Sequence, residues 1–239
     1  MLRAIFCLVA ILLGSVATAS ERLTVVTEEA YPMNYSQGTE VVGTATDYLR
    51  HVLNSNSISH DIKLMPWGRA YKTALEGRNV LIYSIARTPD REDKFHWLFE
   101  MKQIQYYLYG LSTRQEELQE ANACKENKIA VVYGDVTHDH LTSLGCDNLI
   151  LAQDYKQLDA LLQRKRVDFI ASSALGIKYF VERYGHNDTS LYQHKTLDGL
   201  STALYFAMSK NSEAELVSTL KSSFTALTVH PSYIPLKEM

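Results

Sequence analysis

The strongest constraint on this chain is an alternation. Short β-branched apolar runs trade places with stretches of helical period along nearly its whole length. Leu23–Thr27 reads as a buried strand, and Thr46–Asn54 as a helix with Tyr48, Leu49, Val52 and Leu53 on its apolar face. Asp61–Met65 is a strand, Gly68–Glu76 a helix stopped by Gly77, Val80–Ile85 a strand, and Gln105–Leu111 a Tyr- and Leu-rich strand. A second block repeats the rhythm: strands at Lys128–Tyr133, Asn148–Ala152 and Val167–Ala171 alternate with helices at Val136–Leu144, Tyr155–Gln163 and Ala174–Arg183. Leu204–Met208 and Glu213–Leu227 close the chain as strand and amphipathic helix. Parallel strands need crossover helices, so this order predicts α/β architecture with parallel sheets covered on both faces. The helix, basic turn, strand and terminal serine leading to Ser84 recur in the approach to Ser172-Ser173. Two such units facing one another enclose a cleft, and ligands in α/β sheets sit outside the carboxyl ends of the strands.

The N-terminus is built differently. Arg3 precedes an apolar run from Ala4 to Val16, followed by Ala17-Thr18-Ala19. That is the layout of a cleavable secretory signal, cut after Ala19. Cys7 lies inside the apolar run and away from the cut, which argues against a lipid anchor. The remaining chain of roughly 220 residues suffices for one large or two small domains. A net charge of −3, one unit more negative once Arg3 leaves, excludes the basic footprint of a nucleic-acid binder. Export to an oxidising compartment leaves two cysteines, Cys124 and Cys146, and an even count there suggests a disulfide, with two separate buried thiols as the alternative.

The most informative local stretch is Ser84-Ile85-Ala86-Arg87-Thr88-Pro89-Asp90-Arg91-Glu92, directly after a strand. Thr88 suits an N-cap, Pro89 a first helical position, and Asp90 the positive end of a helix dipole. Backbone N–H groups beside two arginines make a carboxylate pocket. A charged turn, with Arg91 paired to Asp90, Glu92 or Asp93, fits the same residues equally well. Trp67 and Tyr71, at helical spacing, suit either core or pocket wall.

These stretches in this order resemble the bacterial extracellular solute-binding proteins of family 3. The likeness is carried by Pro66-Trp67-Gly68-Arg69-Ala70-Tyr71, Ala74-Leu75-Glu76-Gly77 and Ser84 through Arg91, with support from Ala30 to Tyr35, Lys128 to Gly134 and Leu204 to Lys210. The resemblance implies a type II periplasmic-binding-protein-like fold: two lobes joined by two crossing hinge strands, closing on a ligand. The first lobe is expected over residues 20–110 and 201–239, and the second over 111–200. The implied ligand residues are Arg91 as carboxylate grip, Ser84 as strand-end donor, Arg87, Glu29 and Tyr31 from the first loop, Trp67 as wall, and Thr137 and Ser173 from the second lobe. Where amino-acid binders of the family place an ammonium-binding aspartate, this chain has Ser172-Ser173, so Glu28 or Glu29 is the expected substitute, or the ligand lacks an α-amino group.

The implied function is capture of a small carboxylate-bearing solute, an amino acid or related organic acid, for import through an ABC-type permease. The expected protein is a periplasmic monomer with no cofactor, no metal and no catalytic residues. A dehydratase-like enzyme using Glu29 and a binding subunit signalling to a membrane sensor are the alternatives. His138-Asp139-His140 is a weak metal motif, because residues two apart on a helix face different directions. Asn34-Tyr35-Ser36 and Asn187-Asp188-Thr189 match the glycosylation pattern by chance.

Overall fold

A computed structural model of the chain describes residues 22–118, 123–185 and 190–228. The secretory signal and its cleavage site, the Asn187 pattern and the chain beyond residue 228 lie outside the described residues.

The first half of the fold comprises β1 (Leu23–Thr27), a hairpin of β2 (Tyr35–Gln37) and β3 (Glu40–Val42), α1 (Thr44–Ser55), β4 (His60–Leu64), α2 (Trp67–Glu76) and β5 (Val80–Ala86). A 3-10 turn over Pro89–Lys94 leads into the long β6 (Phe95–Leu111). A second 3-10 turn, Ser112–Arg114, and short helices α3 (Gln115–Leu118) and α4 (Ala123–Glu126) precede β7 (Ile129–Val132). Then come α5 (Val136–Ser143), β8 (Leu149–Ala152), α6 (Tyr155–Gln163), β9 (Phe169–Ser173), α7 (Ala174–Tyr184), the long β10 (Leu191–Ser209) and α8 (Ala214–Leu227).

Eight strands form one sheet in the order β4-β1-β5-β10-β6-β9-β7-β8. β4, β1 and β5 are parallel, as are β8, β7 and β9. β6 and β10 run antiparallel through the middle and belong to both halves. Their mutual register breaks between Thr196 and Ser201. On one side of that break β10 pairs with β5, and on the other β6 pairs with β9. The two-lobed α/β architecture with crossing strands is therefore present.

The buried apolar residues form two clusters, and each cluster draws on the first lobe and on the second. In the first lobe, every residue of β5 is buried, as expected for a strand covered on both faces. Leu49, Val52 and Leu53 of α1 and Val217, Leu220 and Phe224 of α8 recur at helical spacing and are buried. Tyr48, Phe99, Phe206 and Phe224 stack in one aromatic cluster with centroids 4.6–6.1 Å apart. In the second lobe, Phe169, Phe180, Leu158 and Leu162 are fully or almost fully buried around β7 and β9. Gly43, before α1, has φ of 121°, and a Cβ there would lie 2.5 Å from the Met33 carbonyl oxygen. Only glycine fits that approach.

Cys124 and Cys146 form a disulfide between α4 and the turn after α5. Both partners lie in the second lobe, so the bond leaves the crossing strands unconstrained. Replacing both cysteines by serine should lower unfolding free energy by about 3 kcal/mol, the loop-entropy value for a bridge of this span. Urea unfolding checks it; a loss under about 1 kcal/mol would assign the bridge no such role. Among the described residues no helix is long and apolar enough to cross a membrane.

Candidate functional site

A cavity opens between the lobes, where the carboxyl ends of the parallel strands meet the crossing of β6 and β10. From the first lobe it takes Glu28 to Tyr31 after β1, Trp67 at the start of α2, Ser84 and Ala86 of β5, and Arg91 of the 3-10 turn. From the second it takes Asp135 and Val136 after β7, Tyr155 at the start of α6, and Ser173, Leu175 and Gly176 at the junction of β9 and α7. Ile104, Tyr106 and Leu204 of the crossing strands line it as well.

The first-lobe side is organised by Asn34, which is fully buried. Its amide nitrogen donates to Thr27 Oγ1 at 2.9 Å and to the Glu28 carbonyl at 2.6 Å, and its Oδ1 accepts from the Ser84 hydroxyl. Ser84 has φ of 59° at the place where β5 and β10 shift register. It is the extra residue of a β-bulge, and the bulge turns it out of the ladder toward the cavity. Its hydroxyl is thus committed to Asn34. The burial of Asn34 also places the first glycosylation pattern beyond reach of a glycan.

Arg91 is 3 % exposed. Its guanidinium carbon lies 5.4 Å from the Trp67 ring centre and 5.1 Å from that of Tyr71. Nη1 donates to the Ala86 carbonyl at 3.4 Å, while Nη2 donates across the cleft to the Gly134 carbonyl at 3.2 Å and meets Asp139 Oδ2 at 3.4 Å. Trp67 Nε1 donates to the same Gly134 carbonyl at 2.7 Å. On this edge the lobes touch directly. At the other edge the Tyr31 hydroxyl is hydrogen-bonded to Glu182 of α7, which raises the phenol pKa.

The carboxylates are the least satisfied groups. Glu28 lies half-buried in the cavity wall, and desolvation followed by repulsion from Asp135 pushes its carboxyl well above the usual range, with Arg91 opposing. Asp135 caps α5, its Oδ1 accepting from the Thr137 and His138 amides at 2.7 and 3.0 Å. Burial raises its pKa, and those bonds hold it back. Glu29 Oε1 accepts from the Ser36 amide and hydroxyl, but its Oε2 is shut from solvent and has no partner among the described residues.

The structure thus brings Arg91, Ser84, Tyr31, Trp67, Glu29 and Ser173 to one cavity. Trp67, open between core and wall, is both: it is 3 % exposed overall and still lines the space. Arg87 and Thr137 are corrections. Alternate residues of an extended segment point to opposite sides, and Arg87 falls on the outer one, over Trp97 and Tyr205 and bonded to Glu92. The charged-turn pairing with Glu92 therefore exists, but with Arg87 in place of Arg91. Thr137 is fully buried beneath the loop, its hydroxyl donating to Asp135 Oδ1 at 2.6 Å. It orients Asp135 and does not reach the cavity. Thr88 makes no side-chain cap, and a six-residue 3-10 turn replaces the expected helix start. Tyr106, expected only as a residue of the Tyr- and Leu-rich strand, and Tyr155 are wall residues missed from sequence. The signal for Tyr155 was its place after the capping Asp154, at a strand-to-helix junction of the second block.

Solved structures share this fold. A histidine kinase sensor domain with similarity to periplasmic binding proteins aligns with TM-score 0.74 at 15 % identity, covering 87 % of this chain and 90 % of that one. An amino acid ABC transporter substrate-binding protein from Streptococcus pneumoniae, bound to L-arginine, aligns with TM-score 0.74 at 17 % identity over 87 % and 89 %. An ABC uptake transporter substrate-binding protein from the same organism, with bound histidine, gives TM-score 0.75 at 14 % identity over 87 % of each chain. No family model and no curated protein sequence matches this chain. At such identities the likeness establishes the fold.

Proposed function

We propose that this chain is an exported solute-binding protein that captures a small polar solute by lobe closure and presents it to the permease of an ABC importer. The observation that carries this reading is a cavity walled by strand ends from both lobes, at the point where two long strands cross. The crossing strands run from one lobe into the other, so a change at the register break between Thr196 and Ser201 moves one lobe against the other. Closure is driven by contacts that a solute makes better in the closed than in the open form. The binding role of the arginine- and histidine-bound structures with this fold supports the reading and points to an amino acid or a related molecule. In this reading residues 20–110 and 201–239 form the first lobe and 111–200 the second. The signal at the N-terminus sends the mature chain, from Ser20, to the periplasm as a soluble monomer.

The likeness to a sensor domain of a histidine kinase supports a second reading, in which the same closure signals to a membrane kinase. The test is a panel of amino acids and organic acids screened by thermal melting and by small-angle scattering. One class should raise the melting temperature and shrink the radius of gyration, with the solute recovered unchanged at one per chain. Conversion of the solute would replace binding by catalysis. Capture from membranes of a transporter subunit or of a kinase separates the two binding roles.

A further inference from the structure

We propose that the solute carries an anionic group at the end of an arm, and that Lys102 of β6 receives it in a recess beside the main cavity. This rests on the two-lobe reading above and names the class of solute: an elongated molecule with a carboxylate or similar oxyanion at its far end.

The recess lies along β6. That strand pairs with β9 only from Tyr106 to Tyr109, so residues 102–105 have no strand beside them on that side. The start of α7 stands there instead. The space between is lined by Lys102, Ile104 and Gln105 of β6 and by Ser173, Leu175 and Lys178 at the junction of β9 and α7. Ile104, Ser173 and Leu175 also line the main cavity, so the two spaces adjoin.

Lys102 stands on the face of β6 that looks into the cleft. Alternate residues of a strand share a face, which puts Lys102 in one row with Ile104 and Tyr106, both cavity residues. The pairing of residues 102–105 with 201–204 is unbroken, and the cross-strand partner of Lys102 is Leu204, another cavity residue. Lys102 is half-buried and has no ion pair or hydrogen bond among the described residues. Lys178, the second lysine of the recess, is exposed and meets Glu182 on its own helix at 3.6 Å. The Ser173 hydroxyl accepts from the Gly176 amide at 3.0 Å and keeps its own hydrogen to donate. It caps an eleven-residue helix, at the positive end of the dipole.

Charge is therefore divided along the cleft. The recess is lined by two lysines and no carboxylate. Elsewhere the cavity continues past Glu28 and Glu29 toward Asp154, through a space that shares no residue with the recess. An arm ending in a cation is repelled by Lys102, and an arm ending in an anion gains a charge-assisted bond. A neutral arm leaves the ammonium desolvated and unpaired when the lobes close, which is costly.

The experiment titrates norleucine, lysine and 2-aminoadipate into the whole mature protein. The three share one carbon frame and differ at the far end, which is a methyl, an ammonium or a carboxylate; 2-aminopimelate lengthens the acidic arm by one carbon. One of the two acidic probes should bind about tenfold more tightly than norleucine, the worth of one bond to a charged group, and lysine more weakly than norleucine. The preference should shrink as salt rises. Lys102→Met keeps the apolar stem and should abolish the preference with norleucine affinity unchanged, and Lys178→Met should reduce it by less. Lys102→Glu should invert it in favour of lysine, an exchange that general damage to the fold does not produce. Equal binding of the acidic and methyl probes, or an undiminished preference in Lys102→Met, would overturn the anionic arm. So would a norleucine affinity raised as much by added inorganic phosphate, since the recess would then hold a free anion. In each of these cases compaction on norleucine leaves capture by closure intact. If none of the four probes binds while another amino acid compacts the protein, the arm alone falls; if no solute compacts it, both readings fall.

Discussion

Arg91→Ala should melt roughly 10 °C below the parent protein and lose the compaction that solute induces. The side chain is almost wholly buried, lies against two aromatic rings of α2, and reaches Gly134 and Asp139 in the opposite lobe. Truncation removes that packing, leaves the Gly134 carbonyl with Trp67 alone, and takes away the cation that opposes the charge of Glu28 and Asp135. Emptying the space of so large a buried side chain and losing its hydrogen bonds costs about 3–5 kcal/mol, and for a chain of this length each kcal/mol is worth about 2–4 °C. Arg91→Lys should recover only part of the loss. Lysine restores the charge but neither the flat face between Trp67 and Tyr71 nor the paired nitrogens that reach Ala86 and Gly134 together. Calorimetry and scattering on the two variants give the answer. An alanine variant that melts within about 2 °C of the parent would show that the cross-cleft contact does not hold the lobes.

The same residue shows where sequence reading succeeds and stops. Strand and helix order was legible because β-branched runs and helical periods are local signals, and Leu23–Thr27, Tyr155–Gln163 and the run ending at Ser84 are recovered nearly residue for residue. The length of the crossing strands was not. Only Gln105–Leu111 and Leu204–Met208 were expected as strands, whereas the structure extends them to Phe95–Leu111 and Leu191–Ser209. The added residues mix apolar ones such as Phe95, Trp97 and Phe99 with polar ones such as Glu100 and Lys102, and they are held by pairing between segments about a hundred residues apart, to which local pattern is blind. The β2–β3 hairpin went unseen for the same reason: three-residue strands carry too little period to read. At the site, Arg91 and Arg87 look equivalent in sequence. The backbone between them sends one to the cleft and the other to Trp97 and Tyr205. Thr137 was a plausible ligand donor by position, yet the Asp135 cap two residues earlier consumes its hydroxyl.

Asn34→Ala is the second substitution expected to have a large effect, and it acts on the site without touching a solute. Asn34 is fully buried at the junction of three elements. Its side chain joins the end of β1 through Thr27, the following loop through the Glu28 carbonyl, and the bulge of β5 through Ser84. Alanine leaves the buried Ser84 hydroxyl and the part-buried Glu28 carbonyl without their Asn34 partner; Thr27 Oγ1 keeps its bond to the Tyr83 carbonyl. Two unsatisfied buried groups and a small cavity amount to about 4 kcal/mol, or roughly 10 °C in melting temperature. The effect reaches the cleft because Ser84 sits at φ of 59°, a conformation a serine holds only when its surroundings enforce it. Without the Asn34 bond that restraint goes, and the Glu28 backbone loses its anchor. Affinity for the solute should therefore fall together with stability. Asn34→Asp sharpens the test. It is similar in shape and can still accept from Ser84, but it cannot donate to Glu28 or Thr27, and it adds a buried negative charge near Glu28. It should be at least as unstable as the alanine variant at neutral pH and should recover as pH falls and its carboxyl takes up a proton. Equal stability of Asn34→Asp and the parent across that pH range would contradict this account of how the first lobe holds Glu28 in place.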